Sequence, residues 1–428
     1  MVVANPGGER HLRDVAAAFA EVGDLDAYIS TAGFGASAVE RLPRVPPRAL
    51  GERLKVELKR RSVTDEVGAR ATRVGTALEV ANVALSRAPL PKPVRFGGLR
   101  PARVTFDWRA SRRLRAGMDA VIGSQGTARM IFRRAGALGI AKVLDYPIAH
   151  FASTEAILAE EARLVPEYAP TMRVYRYPDW LRRRYVAEIE MADRIIMVSR
   201  YHQDNFAAAG IDPARTFIVP WSVDSRLFTP PEQEEVGVFR VVLLGELSQR
   251  KGLSYLIDGF ERAGLADSEL VLIGRSHVVN GPWTGRANVR HVRPVAHFML
   301  PELLRTCHVI ALPSLVEGFP VSILEGMACG LPAIISENLG YDIVEDGRDG
   351  WVVPIRDPDA IAERLRILHS DTAKRREMGR SARAKAETFT KERNHEALRA
   401  GVRELLAART TRSPAARRSW RDDSSGHW

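Results

Sequence analysis

Short apolar runs, four to six residues long and without polar alternation, recur along this chain, separated by amphipathic stretches of helical length. A strand that is apolar at every position has to be covered on both faces. Strands of that kind alternating with helices dictate parallel sheets with helices on either side, the α/β doubly wound class. In the first half the runs are Val2–Asn5, Leu25–Ser30, Ala120–Gly123, Lys142–Tyr146 and Arg194–Ser199, with helical patterns at Leu12–Glu21, Ala128–Ala137 and Phe151–Leu164. In the second they are Phe239–Leu244, Leu270–Ile273, Val289–Val292, Val309–Pro313, Ala333–Ser336 and Trp351–Pro354, with helices expected at Leu253–Ala263, Met299–Thr306 and Val321–Cys329. Phe228–Val238 parts the two sets, and its Pro230-Pro231 pair and three glutamates read as a linker. A length of 428 residues suffices for two such cores. The expected organisation is therefore a Rossmann-like domain over 1–228, a second over 229–385, a helical segment over 386–408 and a basic, disordered tail over 409–428. Ligands of such sheets sit beyond the carboxyl ends of the strands, so two facing halves would form an interdomain cleft.

Charge and composition narrow the partners. The chain carries 63 Lys+Arg against 52 Asp+Glu, a formal net charge of +11. Its two cysteines, Cys307 and Cys329, exclude a disulfide framework and fit a reducing compartment. No run reaches the 18 or so apolar residues of a spanning helix, and Met1–Leu12 lacks the basic and apolar regions of a secretion signal. The expected location is the cytoplasm, with the inner face of an anionic membrane as a candidate peripheral contact. The stretch Ala49–Ala88 reads as helix-rich and basic, with Lys55, Lys59, Arg60 and Arg61 on a solvated face or a lipid- or partner-binding one. Specific reading of nucleic acid is not expected, because interleaved aromatics and a recognition-helix motif are missing.

Several chemistries are excluded by motif. Gly33-Phe34-Gly35 lacks the third glycine of a dinucleotide fingerprint, no Gly-Lys pair exists for a Walker A loop, and neither His-Glu-x-x-His nor Cys-x-x-Cys occurs. Asp24-Leu25-Asp26 and Asp357-Pro358-Asp359 could hold a divalent metal, but both lie at element boundaries and read as turn and cap chemistry. No metal site is expected.

The densest information lies between Leu312 and Pro354. After a strand comes Glu317-Gly318-Phe319-Pro320-Val321-Ser322-Ile323-Leu324-Glu325-Gly326-Met327-Ala328-Cys329-Gly330-Leu331-Pro332. A helix starting near Pro320-Val321 would aim its free N–H groups and positive dipole end at a bound phosphate. Glu317 and Glu325 are eight residues apart, which on a continuous helix leaves them about 80° apart around the axis. Two carboxylates facing one pocket could accept hydrogen bonds from sugar or ribose hydroxyls.

This block resembles the glycosyltransferases of family 4, retaining enzymes with the two-domain GT-B fold. What carries the resemblance is not the bare Glu-x7-Glu but its setting in Glu-Gly-Phe-Pro and Leu-Glu-Gly-Met-Ala-Cys-Gly-Leu-Pro. Four further blocks agree in order and spacing: Glu188–Ser199, Pro220–Pro230, Gly245–Gly252 and Glu345–Pro354. The resemblance implies a retaining transfer of a hexose from a nucleotide-diphosphate sugar to a glycan, lipid-linked or small-molecule acceptor, without metal or cofactor, the sugar nucleotide being a co-substrate. It assigns Arg250 and Lys251 to the donor diphosphate, Glu317 to the transferred sugar, Gly318 and Phe319 to backbone contacts with it, and Glu325 to the ribose. Gly245 and Ser322 are further donor-side candidates. His150, at a strand's carboxyl end, is a catalytic candidate beside the sugar. Gly126 and the pair Gly7-Gly8 follow strands where substrate could approach the backbone. The chain departs from the pattern at Glu246, where many relatives have Arg, at Ser222 in place of Gly, and at Pro320, which removes one N–H. A same-fold sugar-nucleotide epimerase and a non-catalytic membrane- or nucleic-acid-binding protein are the alternatives.

Overall fold

The computed structural model describes residues 1–7, 9–31, 33–40, 62–76, 99–172, 176–232, 237–339 and 342–411. Gly8, most of Ala49–Ala88 and the tail beyond Thr411 lie outside the described residues.

Thirteen described strands form two parallel sheets. The first contains β1 (Val2–Asn5), β2 (Ala27–Ser30), β3 (Ala71–Arg73), β4 (Ala120–Ser124), β5 (Ala141–Asp145), β6 (Arg194–Met197) and β7 (Thr216–Ile218), in the order β3-β2-β1-β4-β5-β6-β7. The second contains β8 (Phe239–Leu244), β9 (Ser268–Ile273), β10 (Val289–Val292), β11 (Val309–Leu312), β12 (Ala333–Ser336) and β13 (Gly350–Val353), in the order β10-β9-β8-β11-β12-β13. Both follow the doubly wound pattern in which strand order reverses between the first and fourth strands. The pairings Val2↔Val121 and Val309↔Val241 mark the two reversals. Central strands are wholly buried, as their unalternated sequences require: Val2, Val3 and Ala4 in β1, and Val241, Val242 and Leu243 in β8, have no exposed surface.

Eleven of these strands coincide with the apolar runs to within two residues. The other two, β3 and β7, are three residues each. Ala71–Arg73 falls in the stretch read as helix-rich, and its ladder with β2 (Tyr28↔Ala71, Ser30↔Arg73) makes it a strand. Three residues show no period, so only the partner strand reveals them.

The chain divides into two compact units. One comprises Met1–Tyr146, Arg183–Ile196 and the chain from His395; the other comprises Pro147–Arg182 and Met197–Asn394. Chain order and contact diverge here, because a single linker near residue 228 would have put 147–182 and 197–228 with the first unit. Within the second unit Ala149, Leu158 and Met172 share a buried cluster with Val316. Within the first unit, Arg399 donates to the Ala18 carbonyl (3.0 Å) and His395 Nδ1 lies 2.7 Å from Glu21, both from the part of the helix Lys391–Thr411 that follows Asn394. Asp357 caps the helix Pro358–Ser370 by accepting from the Ala360 N–H at 2.9 Å. Among the described residues, no helix is long and apolar enough to cross a membrane.

Candidate active site

In the second unit the order reversal brings the loop after β8 against the loop after β11. The β8 loop begins at Gly245 and closes through a 3-10 turn, Gln249–Lys251, in which the Ser248 hydroxyl accepts from the Arg250 N–H. Gly252 then takes a left-handed conformation (φ +68°) and starts the helix Leu253–Ala263. A Cβ there would overlap the carbonyl oxygen of Pro313, just past β11, so only glycine lets the two loops meet. The Leu315 N–H donates to the Arg250 carbonyl at 2.9 Å and ties them together.

This approach sets three charges in contact. Arg250 Nη1 donates to Glu317 Oε1 at 2.9 Å and to the Val316 carbonyl at 2.8 Å. Lys251 Nζ donates to Glu317 Oε2 at 2.8 Å. Each oxygen of the carboxylate therefore has its own cation. Burial opposes ionisation of Glu317, but the Arg250 guanidinium and Lys251 ammonium outweigh it and hold the carboxyl well below the usual range. The cluster keeps one net positive charge at the carboxyl edge of the sheet, where an anionic ligand of such a fold sits.

Residues without a sequence signal hold these groups in place. His202 is fully buried, and its Nε2 lies 2.9 Å from the Glu317 carbonyl. A carbonyl only accepts, so Nε2 carries the proton and Nδ1 accepts from the Ser199 hydroxyl at 2.6 Å. Burial pushes His202 down to about 4, so it is neutral at physiological pH. Gln249 donates to buried Glu161 at 2.7 Å, its N–H donates to Thr171 Oγ1 at 2.9 Å, and Arg356 Nε holds the other Glu161 oxygen at 2.8 Å. These partners lie 78 to 195 residues apart in sequence, so no local pattern announces them.

The other expected residues of this unit are distributed as follows. A Cβ at Gly318 would overlap the Pro147 carbonyl, so the loop leading to His150 passes directly over that glycine. His150 precedes the helix Phe151–Leu164; its N–H donates to Asn205 Oδ1 at 2.7 Å, its ring packs on Phe151 and Phe206, and its buried Nδ1 has no partner among the described residues. Burial lowers its pKa. Phe319 packs between Trp221 and Phe389. Glu325, on the helix Val321–Ala328, meets His297 Nε2 at 2.7 Å, and Ser322 is half-buried in that helix's first turn. Glu246 pairs with His277 at 2.9 Å.

The first unit has its own polar edge. Gly7 follows β1, and a Cβ there would meet nothing within 4 Å, so open space borders this backbone. Gly126 follows β4, but its N–H is held at 2.5 Å by Glu188, which also accepts from Ala128 and pairs with Arg184. A third feature belongs to no sequence motif: His11, in the helix Arg10–Ala20, joins buried Asp145 at the end of β5 (2.7 Å), with Glu9 at 3.5 Å. Burial disfavours the imidazolium, but Asp145 prevails and raises His11 to about 9. The folded state therefore binds the proton more tightly than the unfolded one, whose histidine titrates near 6.5. The pair's contribution is complete below pH 6.5 and is lost as pH rises through 9. Urea melts of wild type and His11→Gln should differ by on the order of 2–3 kcal/mol at pH 6 and converge by pH 9.5; a difference independent of pH would exclude the ion pair.

A sheet of this order defines a doubly wound α/β protein, with two cations fixed beside a carboxylate at the edge where ligands of such folds sit. Comparison with known proteins refines the class. Residues 238–371 match the family described as Glycosyl transferases group 1. D-inositol 3-phosphate glycosyltransferase of Paenarthrobacter aurescens is 29% identical over 204 residues, covering 42% of this chain and 49% of that protein. The chain spans about half the length of the curated relatives it matches. Sucrose-phosphate synthase of Thermosynechococcus elongatus superposes with a TM-score of 0.64 at 17% identity, over 95% of this chain and 98% of that one. Anabaena HepE, solved with UDP and glucose, gives 0.60 at 16% identity, over 95% and 99%. The fold is GT-B, and it is residues 238–371, most of the second unit, that match glycosyltransferase group 1.

Proposed function

We propose that this protein is a retaining glycosyltransferase that moves a hexose from a nucleotide-diphosphate sugar to a glycan, lipid-linked or small-molecule acceptor. The observation that carries this reading is the Arg250–Glu317–Lys251 cluster at the strand-order reversal of the second sheet. In the reaction the bond from the anomeric carbon to the diphosphate oxygen breaks, and its electron pair leaves with the diphosphate. The acceptor hydroxyl oxygen forms the new bond on the same face, and its proton passes to the departing phosphate oxygen. Negative charge grows on the leaving group as the anomeric carbon becomes oxocarbenium-like. Arg250 and Lys251 meet that charge from fixed positions, without reorganising at the moment of reaction. Glu317 orients both cations and offers oxygen lone pairs to the sugar hydroxyls.

The likeness to HepE makes UDP-glucose the first donor to test. Nucleotide release should be seen with at least one donor from a panel of UDP-, GDP- and ADP-sugars, and the product should keep the donor's anomeric configuration. Absence of turnover with every donor, or conversion of the donor to an epimer without acceptor, would overturn the assignment.

A further inference from the structure

The first unit carries a group of arginines at the edge strand of its sheet. Arg73, Val74 and Gly75, at and just after β3, line a cavity of about 390 Å³ together with Arg109, Arg112 and Arg113. Arg109 lies in the helix Leu99–Ser111, and Arg112 and Arg113 form the turn that follows it. All four arginines are exposed, and no carboxylate among the described residues pairs with any of them. Their recorded neighbours are aromatic: Arg73 stacks over Phe34 at 4.5 Å and Arg112 over Trp108 at 4.8 Å.

The helix has two contrasting faces. Asp107 points inward, accepts from the Met130 and Ile131 N–H groups at 2.8 and 2.9 Å, pairs with Arg184, and lies among buried Phe106 and Ala110. Outward, Val104, Trp108 and Arg112 follow one another at four-residue spacing, with Arg109 and Arg113 as the adjoining stripe. Val104 is 38% and Trp108 42% exposed. A tryptophan and an aliphatic residue flanked by guanidinium groups form the combination that settles at a lipid headgroup boundary, the ring in the interface and the cations on phosphates.

We propose that this face docks the first unit on an anionic phospholipid membrane, with the arginine cavity taking lipid phosphate groups and Trp108 and Val104 entering the interface. Charge complementarity commits the surface to that occupant: four cations with no acidic partner among the described residues border one exposed apolar pair. Bases of a nucleic acid would need a line of exposed aromatic platforms, whereas Trp108 is the one large aromatic side chain among the exposed residues of this helix. The sequence placed the basic stretch at Ala49–Ala88; Arg73 is the only member of the cavity's four arginines inside it.

Vesicle co-sedimentation of the whole chain tests this independently of any transferase activity. Wild type should bind vesicles containing phosphatidylglycerol, bind phosphatidylcholine vesicles weakly, and be released by 0.5 M salt. Each basic residue near an anionic surface contributes about 1 kcal/mol, so Arg109→Gln/Arg112→Gln/Arg113→Gln should lower partitioning about 100-fold or more. The matching triple lysine variant should keep most of the binding, and melting transitions will verify that both variants fold. Quenching of tryptophan emission by brominated lipid should fall in Trp108→Phe. Donor turnover should be unchanged in every variant. Equal binding by the glutamine variant, equal binding to neutral vesicles, or no vesicle binding at all would overturn the proposal. So would full displacement by millimolar inorganic phosphate, which would make the cavity a site for a free anion, or binding to nucleic acid alone.

Discussion

Lys251→Ala and Glu317→Ala should each lower kcat by about 100- to 1,000-fold, the loss typical of removing one fixed group that stabilises transition-state charge. The two should differ in other respects. Lys251→Ala removes one of two cations and leaves Glu317 with Arg250 alone, so its effect should appear mainly in kcat with a smaller rise in donor KM. Glu317→Ala leaves two side chains, 25% and 9% exposed, with no counter-charge, and should also destabilise the protein by about 3–5 kcal/mol, the cost of breaking a buried pair from one side. Glu317→Gln keeps the shape and one acceptor, and should fall between wild type and alanine in rate. Because the Glu317 carboxyl is held below its ordinary value, its stabilising contribution is present above about pH 4.5 and disappears only as acid protonates the folded state. Full turnover by Lys251→Ala would show that the cluster does not meet the leaving group.

Gly252→Ala should cost the second unit both stability and activity. Two costs add: a left-handed conformation for a residue with a Cβ, roughly 1–2 kcal/mol, and overlap with a backbone carbonyl at Pro313 that no side-chain rotation relieves. Together they should lower stability by about 3 kcal/mol or more, seen as an earlier urea midpoint. The same change should separate the loops and so disturb the contact of Arg250 and Lys251 with Glu317. Donor turnover should therefore fall even at temperatures where the variant remains folded. Gly264→Ala supplies the control. It too is left-handed (φ +60°), but a Cβ there meets nothing within 4 Å. Its loss should be limited to the conformational term and leave turnover intact. Equal effects at the two positions would remove the steric explanation.

Most of the fold was legible because apolar strands and amphipathic helices are local patterns. Val2–Asn5, Phe239–Leu244 and Val309–Leu312 announce themselves through composition alone. Ala71–Arg73 did not, because a three-residue edge strand has no period and takes its identity from pairing with β2. The site was legible in the same uneven way. Arg250, Lys251, Glu317 and Glu325 stand in motifs. His202, Glu161 and Thr171, which hold motif residues through single hydrogen bonds across long sequence separations, and Arg356, which holds Glu161, do not. The pair His11–Asp145 spans 134 residues and belongs to no motif.

By itself, then, the sequence determined that the chain forms two parallel doubly wound sheets, and it singled out the charged residues at the strand ends of the second. Both follow from short-range order: burial on two faces forces unbroken apolar runs, and a loop that ends a strand concentrates its charges within a few positions. Only the tertiary structure decided which charges pair. It gave each cation its own oxygen of Glu317, turned Glu246 toward His277, gave the Gly126 N–H to Glu188, and gathered four arginines from separate segments around one cavity. The reason is physical: a pairing energy depends on distance in space and on burial, and neither is a function of distance along the chain.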